Sequence, residues 1–467
     1  MTQNQRFGVL PWIVAVGFFM QALDMTILNT ALPTMAQSLG ESPLRMQSLV
    51  VSYALTVALL IPASGWLADR FGTRRVFFAA IVLFSFGSLL CAISSSLNML
   101  ILSRIIQGMG GALLLPVGRL AILRSVPRDQ LLQVLSFVVI PGLVGPLLGP
   151  TLGGWLVEVA SWHWVFLINI PVGIIGCIAI WRYMPNLKGD AGKFDLQGFA
   201  LIGGAMVLVS LALQGLGEKS LSLAVAMLLL VAGLALFGAY WLYAARVPRP
   251  LFGLNLFRIH SFSVGIIGNL FARLGSGGMP YLLPLFLQLA LGFSPLHAGM
   301  LMIPTALGAM TSKVFVNRLV KHFGYQRVLV VNTLIVGMLI ASYALIGKDT
   351  PIWWLCIQFF VFGMFNSIQF SAMNTVTLKD LGDNAASSGN SLLSVMMQLS
   401  VSLGVAMAAA LLAAFTEGRL QQATVIDAFH STYVCIGLIG MVAASIFFQL
   451  DGNSRIGEPR SPPADET

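Results

Sequence analysis

Apolar positions in this chain fall into long unbroken runs, not into the alternating stripes of half-buried helices or strands. The runs lie near 10–33, 46–68, 76–95, 98–121, 133–157, 163–184, 196–215, 221–245, 262–290, 296–320, 328–347, 351–377, 386–415 and 430–450. Each comes close to the roughly 20 residues that cross a bilayer as a helix. The pattern predicts an all-α integral membrane protein of about 14 spans, with no room for a large soluble domain. The first run follows a short polar start, 1–9, and no small-residue cleavage site comes after it. It reads as a retained helix and not a signal peptide. From Asp451 the chain turns polar and Pro-rich, which predicts a disordered cytoplasmic tail over 451–467.

An internal repeat divides the runs. At an offset of 252, residues 42–76 face 294–328, and 11 of the 35 positions are identical, among them Ser42, Pro43, Leu44, Phe71, Gly72, Arg75 and Val76. Parallel repeats of this kind build many secondary transporters. Six spans need fewer residues than the offset, and the surplus fits the two runs between 196 and 245. The expected plan is an N-terminal six-helix bundle over 1–190, two inserted transmembrane helices over 191–258, a C-terminal six-helix bundle over 259–450, and the tail.

Composition narrows the function. Hydrophobic residues make up 57% of the chain and charged residues 9%, against about a quarter charged in soluble proteins. A water-soluble enzyme, a disordered chain and a nucleic-acid-binding domain are excluded. The net charge of +9 comes from 26 Lys and Arg against 17 Asp and Glu. Eighteen of the bases, from Arg6 through Arg70, Arg74 and Arg75 to Arg249, Arg455 and Arg460, fall on one set of alternate loops, and only Arg45, Lys219, Lys348 and Arg419 on the other. The positive-inside rule then places both termini in the cytoplasm and implies an even number of spans. The four cysteines sit inside apolar runs without disulfide or metal-ligand spacing. No cofactor is expected.

Several motifs carry candidate chemistry. The loop after the second run holds Gly65, Asp69, Arg70, Gly72, Arg74 and Arg75. Gly65 permits close helix approach, and Asp69 can pair with an arginine. The cluster reads as a gate that latches one half to the other. In the second copy Lys321 stands where the first has Asp69, so the latch is one-sided. The fifth run contains Gly145, Pro146, Gly149, Pro150, Gly153 and Gly154. Glycines at 145, 149 and 153 share one helix face, and prolines inside the run bend it. This predicts either a hinge or seal, or a static packing face. Asp24 is the one acid within any predicted span. An unpaired carboxylate there costs roughly 2.5–3.5 kcal/mol on insertion scales. A carboxyl whose charge changes with access is what proton coupling requires; the structural alternative is a cap beside Pro33. Arg104, in the fourth run with Gln107, Gly108 and Gly111, is expected to line a cavity for the same reason of cost.

Bases outnumber acids inside the runs: Arg104, Arg119, Arg273 and Lys313 against Asp24. Arg104 and Arg119 lie about 22 Å apart along a helix and about 60° around it, so both can face one cavity. Arg273 precedes a broken stretch, Gly275 to Pro280, and discontinuous helices often form a transporter's central site. Gln21, Asn29, Gln107, Arg119, Arg273 and Asn366 are the candidate substrate-binding residues. Arginines suit a carboxylate or another anion.

Together, the loop at 65–75, Arg104-Ile-Ile-Gln107-Gly108, the Gly-Pro motif at 145–154 and Leu23-Asp24 through Asn29 to Pro33 resemble the major facilitator superfamily, in particular its 14-span drug:proton antiporter branch. Ser161-Trp162-His163-Trp164 through Asn169 and Pro171, Phe194-Asp195, and Ser387 to Ser391 extend the resemblance over nearly the whole chain. It implies an antiporter of the inner (plasma) membrane that works as a monomer and exports drug-like molecules against an inward flow of protons. It also implies that Asp24 and Arg104 belong to the coupling machinery and that the 145–154 motif marks export. The charges favour an alternative cargo, an organic anion such as citrate or a metal–citrate chelate. Other classes have less footing. A pump needs a G-x-x-x-x-G-K-[ST] nucleotide loop, which is absent. The scattered histidines give a membrane enzyme no catalytic cluster. A receptor or channel without proton coupling does not need Asp24.

Overall fold

The computed structural model describes residues 8–217, 221–248, 250–381, 383–417 and 425–450. The expected tail and the loop bases Arg6, Lys219, Arg249, Arg419, Arg455 and Arg460 lie outside the described residues.

The described chain is helical. Its elements are α1 (Leu10–Leu39), α2 (Gln47–Phe71), α3 (Thr73–Ala92), α4 (Leu97–Ser125), α5 (Arg128–Val159), α6 (Asn169–Tyr183), α7 (Leu196–Gly217) and α8 (Leu223–Ala244). They continue with α9 (His260–Ser276), α10 (Met279–Leu285), α11 (Pro295–Leu301), α12 (Ile303–Ser342), α13 (Ile352–Leu378), α14 (Asp383–Glu417) and α15 (Val425–Phe447). Among the described residues, 11 helical stretches are long and apolar enough to cross a membrane. Exposed tryptophans mark two levels of the bundle. Trp12, Trp181 and Trp241 lie near helix ends on one side, and Trp155, Trp164, Trp353 and Trp354 near helix ends on the other. Such aromatic belts sit at the two bilayer interfaces. This is a multi-pass membrane protein.

Helix ends follow local chemistry. Gly40 takes a left-handed φ of 68° at the end of α1, and Ser96 and Ser222 cap α4 and α8 by accepting from Met99 N and Val225 N. The repeat seen in sequence recurs in backbone geometry. Gly72 (φ 95°, ψ 147°) separates α2 from α3, and Gly324, 252 residues later, takes φ 79° and ψ 163° inside α12. Both are conformations that a Cβ disfavours. The runs expected at 296–320 and 328–347 thus meet in one 40-residue helix that Gly324 breaks. Ser42 and Ser294 repeat too, each accepting from a backbone N–H of the following turn.

Packing joins α1 to α5, α2 and α3 to α4, α12 to α13 and α15, and α9 to α14 and α15. Early and late helices meet most closely where α2 packs on α14 and α5 on α11, and α1 also touches α10 while α5 touches α12. The pair α7–α8 lies over the first of these, because α7 touches both α2 and α14. Ser210 on α7 faces Ser402 on α14 at 3.4 Å. Asp195 anchors the pair, accepting from Gly198 N, Tyr243 Oη and Leu251 N.

Candidate functional site

Asp24 and Arg104 meet in the interior. The Arg104 Nη1 donates to Asp24 Oδ2 at 2.6 Å, and both residues are 1% exposed. Gln107, one turn further along α4, accepts from Arg104 Nη1 at 2.7 Å and donates to Asp24 Oδ1 at 2.7 Å and to Ser88 Oγ at 2.7 Å. Asn169 Nδ2 donates to Asp24 Oδ1 at 3.4 Å and to Ser88 Oγ at 3.3 Å. Arg104 Nε donates to Leu49 O, and the guanidinium lies 4.2 Å from the Tyr53 ring centre. A buried charge pair persists only when its remaining lone pairs and protons are satisfied, and this one is enclosed by such partners. The glycines of α4 make room for it. A Cβ on Gly108 would press on Thr56, and one on Gly111 on the Tyr53 hydroxyl.

A cavity of about 200 Å³ lies beside the pair, between early and late helices. Arg104, Tyr53 and Asn29 line it from one side, and Arg273, Asn366 and Gln369 from the other. Asp24 sits behind this wall and reaches it through Arg104. Arg273 stands at the end of α9, where Gly277 and Gly278 break the chain before α10, as the glycine-rich stretch predicts. Its Nε donates to Asn269 Oδ1 at 2.8 Å, and its guanidinium lies 4.4 Å from the Phe370 ring centre. Its Nη2 is buried and has no hydrogen-bond partner among the described residues.

The structure sorts the other sequence candidates. Asn29, Asn366, Arg104 and Arg273 share the central cavity. Gln107 is spent inside the Asp24 network, and Gln21 is buried outside the cavity wall. Arg119 does not join Arg104. It lines a second cavity of about 640 Å³ with Gly65, Ser388, Asn390, Ser391 and Ser394. The angular argument placed both on one face, but the distance along α4 carries them into different cavities.

In this state the loop at 65–75 rests on the N-terminal helices. Asp69 pairs with Arg124 of α4, so among the described residues its ion pair stays within the N-terminal helices and latches nothing across the seam. In this state Gly65 has no neighbouring helix against it: nothing lies within 4 Å of the position a Cβ would take. The loop instead docks on the segment after α6. Thr73 N donates to Leu187 O at 2.9 Å, Thr73 Oγ1 donates to Pro185 O, and Asn186 sits against Gly72. Arg74 lies 5.3 Å from the Trp181 ring centre, Arg70 lies 5.9 Å from that of Trp66, and Arg75 N donates to Asn186 Oδ1.

The Gly-Pro motif of α5 is a packing surface in this state. Gly145, Gly149 and Gly153 press on α1, where Thr26 donates to Gly145 O at 3.3 Å and Thr30 to Pro150 O at 3.1 Å. Gly154 faces the other way. A Cβ there would strike Pro295 and Leu296, and one on Gly299 would strike Pro150 and Thr151. Thr151 Oγ1 donates to Gly299 O at 3.2 Å, and Leu296 N donates to Glu158 Oε1 at 2.9 Å. The seam is therefore closed, backbone against backbone, at the end where α5 meets α11, while Gly65 and Arg119 stand over open space towards the other. Ser88, Asn169, Tyr53 and Glu158 were not among the sequence candidates. Asn169, a polar residue inside an apolar run, is the one that carried a signal.

The sequence profile of the Major Facilitator Superfamily matches residues 14–405 and again 265–466. The protein named "Putative multidrug resistance protein MdtD" in Pectobacterium atrosepticum is 52% identical over 451 residues, covering 96% of each chain. Its namesake in Escherichia coli is 52% identical over 451 residues, covering 95% of this chain and 94% of its own. Among solved structures, a peptide transporter, POT, in complex with sulfate superposes with a TM-score of 0.69 at 16% identity, over 96% of this chain and 97% of its own. A bacterial homologue of the human lysosomal transporter Spinster gives 0.66 at 16% identity, over 96% of both chains. These two share the fold. With a profile match across most of its length and relatives half identical to it from end to end, the chain belongs to the major facilitator superfamily and is a membrane transporter, not an enzyme.

Proposed function

We propose that this protein exports small drug-like organic molecules across the inner membrane by exchange with protons, with Asp24 and Arg104 as the coupling pair. The observation that carries the reading is their buried salt bridge, 2.6 Å long, at the wall of a cavity between early and late helices. A proton on Asp24 removes the charge that holds Arg104, and the guanidinium is then free to turn towards the cavity. Loss of the proton restores the pair. Substrate and proton thus compete for one arrangement of one arginine, which is how two fluxes become linked. The relatives named for multidrug resistance support the cargo class. The expected layout goes with this reading: fourteen spans as two six-helix bundles around 191–258, both termini cytoplasmic, in a monomer. In that orientation the sealed seam faces outward and the larger cavity inward. Inverted vesicles with an imposed pH gradient test the proposal. Drug-like solutes accumulate only while the gradient stands; equal accumulation without any pH difference or voltage would overturn it.

A second reading has its own observation. Arg273 brings a buried cation with an unpartnered Nη2 to the cavity wall, and the acid nearest the cavity is already held by Arg104. A carboxylate on the cargo supplies the missing partner, which favours an organic anion such as citrate or its metal chelate. Under this reading Arg273→Gln abolishes transport of organic acids and spares cationic dyes. Unchanged transport of organic acids would reject it.

A further inference from the structure

A groove of about 540 Å³ opens on the outer surface of α12 and α13, away from the seam. Its walls are apolar, with Phe323, Val331, Phe365 and Phe448 prominent. Phe323, Val331 and Phe448 are 47%, 55% and 63% exposed. At its rim stand Gln326 and Arg327. Gln326 Nε2 is committed to Phe448 O at 2.7 Å, which fixes the end of α15 as one edge. Arg318, Lys321 and Arg327 are exposed around the break at Gly324. None of the three forms an ion pair among the described residues.

The repeat shows what is unusual here. At the matching place 252 residues earlier the chain covers its own surface. Phe78 packs on Trp181 with ring centres 5.6 Å apart, Arg74 lies over the same tryptophan, and Asn186 closes over Gly72. In the second copy Val330 stands for Phe78 and Gln326 for Arg74, and a groove remains.

We propose that this groove is a binding site for an anionic phospholipid, with one acyl chain lying along Phe323, Val331 and Phe365 and the headgroup held by Arg327. Charge selects the occupant. The groove is apolar where hydrocarbon lies, and Arg327 at its rim, without an ion pair among the described residues, stands where phosphate lies. A zwitterionic lipid satisfies the chain half of the site but leaves the rim uncompensated. Each base near a membrane surface favours an anionic lipid by about fivefold.

Native mass spectrometry of the full-length protein, titrated with phosphatidylglycerol and with phosphatidylcholine of the same chains, tests this. One phosphatidylglycerol is expected to bind the wild type about fivefold or more tightly than phosphatidylcholine. Arg327→Gln, at an exposed position, removes most of that preference while retaining chain binding. Val331→Trp, also exposed, fills the groove and removes the tight site for both lipids; an unchanged melting temperature shows that each variant is folded. Equal binding of the two lipids by the wild type, or tight phosphatidylglycerol binding that survives Val331→Trp, overturns the proposal. Deletion of residues 451–467 is expected to change nothing. If it raised binding of both lipids equally, the occupant would be the chain's own tail and the lipid assignment would fail.

Discussion

Replacing Asp24 by asparagine is the most direct test of the coupling pair. The carboxylate accepts from Arg104 Nη1 at 2.6 Å, Gln107 Nε2 at 2.7 Å and Asn169 Nδ2 at 3.4 Å. An amide keeps one acceptor and turns the other oxygen into a donor, so either Arg104 or Gln107 meets a donor head-on. The larger loss is charge. Arg104 stays buried without its counter-ion, and breaking a buried pair from one side costs roughly 3–5 kcal/mol. Asp24→Asn should therefore melt well below the wild type yet still insert in the membrane. The double variant Asp24→Asn/Arg104→Gln removes both charges and should regain most of that loss, because neutralising a whole buried pair is often nearly neutral. Function should separate from stability. In inverted vesicles both variants lose proton-driven export, while exchange of labelled for unlabelled substrate at equal pH continues in the double variant. Two results would refute the reasoning. One is proton-driven export of normal rate by Asp24→Asn. The other is a double variant as unstable as the single, which would mean that the pair is not held as a unit.

Two further substitutions test the seam. Gly154→Leu drives a side chain into Pro295 and Leu296; overpacking of this kind costs about 1–3 kcal/mol, and it should push the sealed end open to a water-soluble thiol reagent at a nearby engineered cysteine. Gly65→Leu enters open space, so its melting temperature should match the wild type while turnover falls, because the space must close for the opposite state; normal turnover would show that the two helices never meet there. Glu158 supplies a pH dependence. Hydrogen bonds from Ser294 and from Leu296 N, then His297 nearby, hold its carboxyl below the usual 4.5. The charged form favours the sealed arrangement, so that contribution is full above the usual glutamate value and fades as pH drops through the lowered one. Accessibility of the sealed end should rise on acidification in the wild type and show a flatter profile in Glu158→Gln; identical profiles would remove Glu158 from the seal.

Much of the architecture was legible because membranes punish exceptions. Uninterrupted apolar runs marked the helices, and Gly72 and Gly324 marked their breaks, since a positive φ is a backbone demand that a side chain disfavours. Asp24 and Arg104 stood out one at a time by the cost of burying them. Their pairing was not legible: they sit on separate helices, and nothing in spacing joins residues 80 positions apart. Ser88, which completes the network, looks like any other small residue in an apolar run. At the loop 65–75 the sequence left the partner open for a different reason. A water-exposed acid among many bases has several partners within reach, and Asp69 took Arg124 from a different stretch of chain. Gly65 fitted a rule for close packing, but whether a small residue is packed or bare depends on the conformational state, which a sequence does not carry.

The pair α7–α8 has a consequence for traffic from the lipid. Since α7 rests on both α2 and α14, one flank of the junction is boarded over by the chain's own insertion. Among the described residues the inserted pair does not reach the other flank, where α5 runs beside α11. A greasy molecule travelling sideways out of the hydrocarbon would therefore meet the inserted helices on one flank and, in this state, the tightly packed backbones of α5 and α11 on the other.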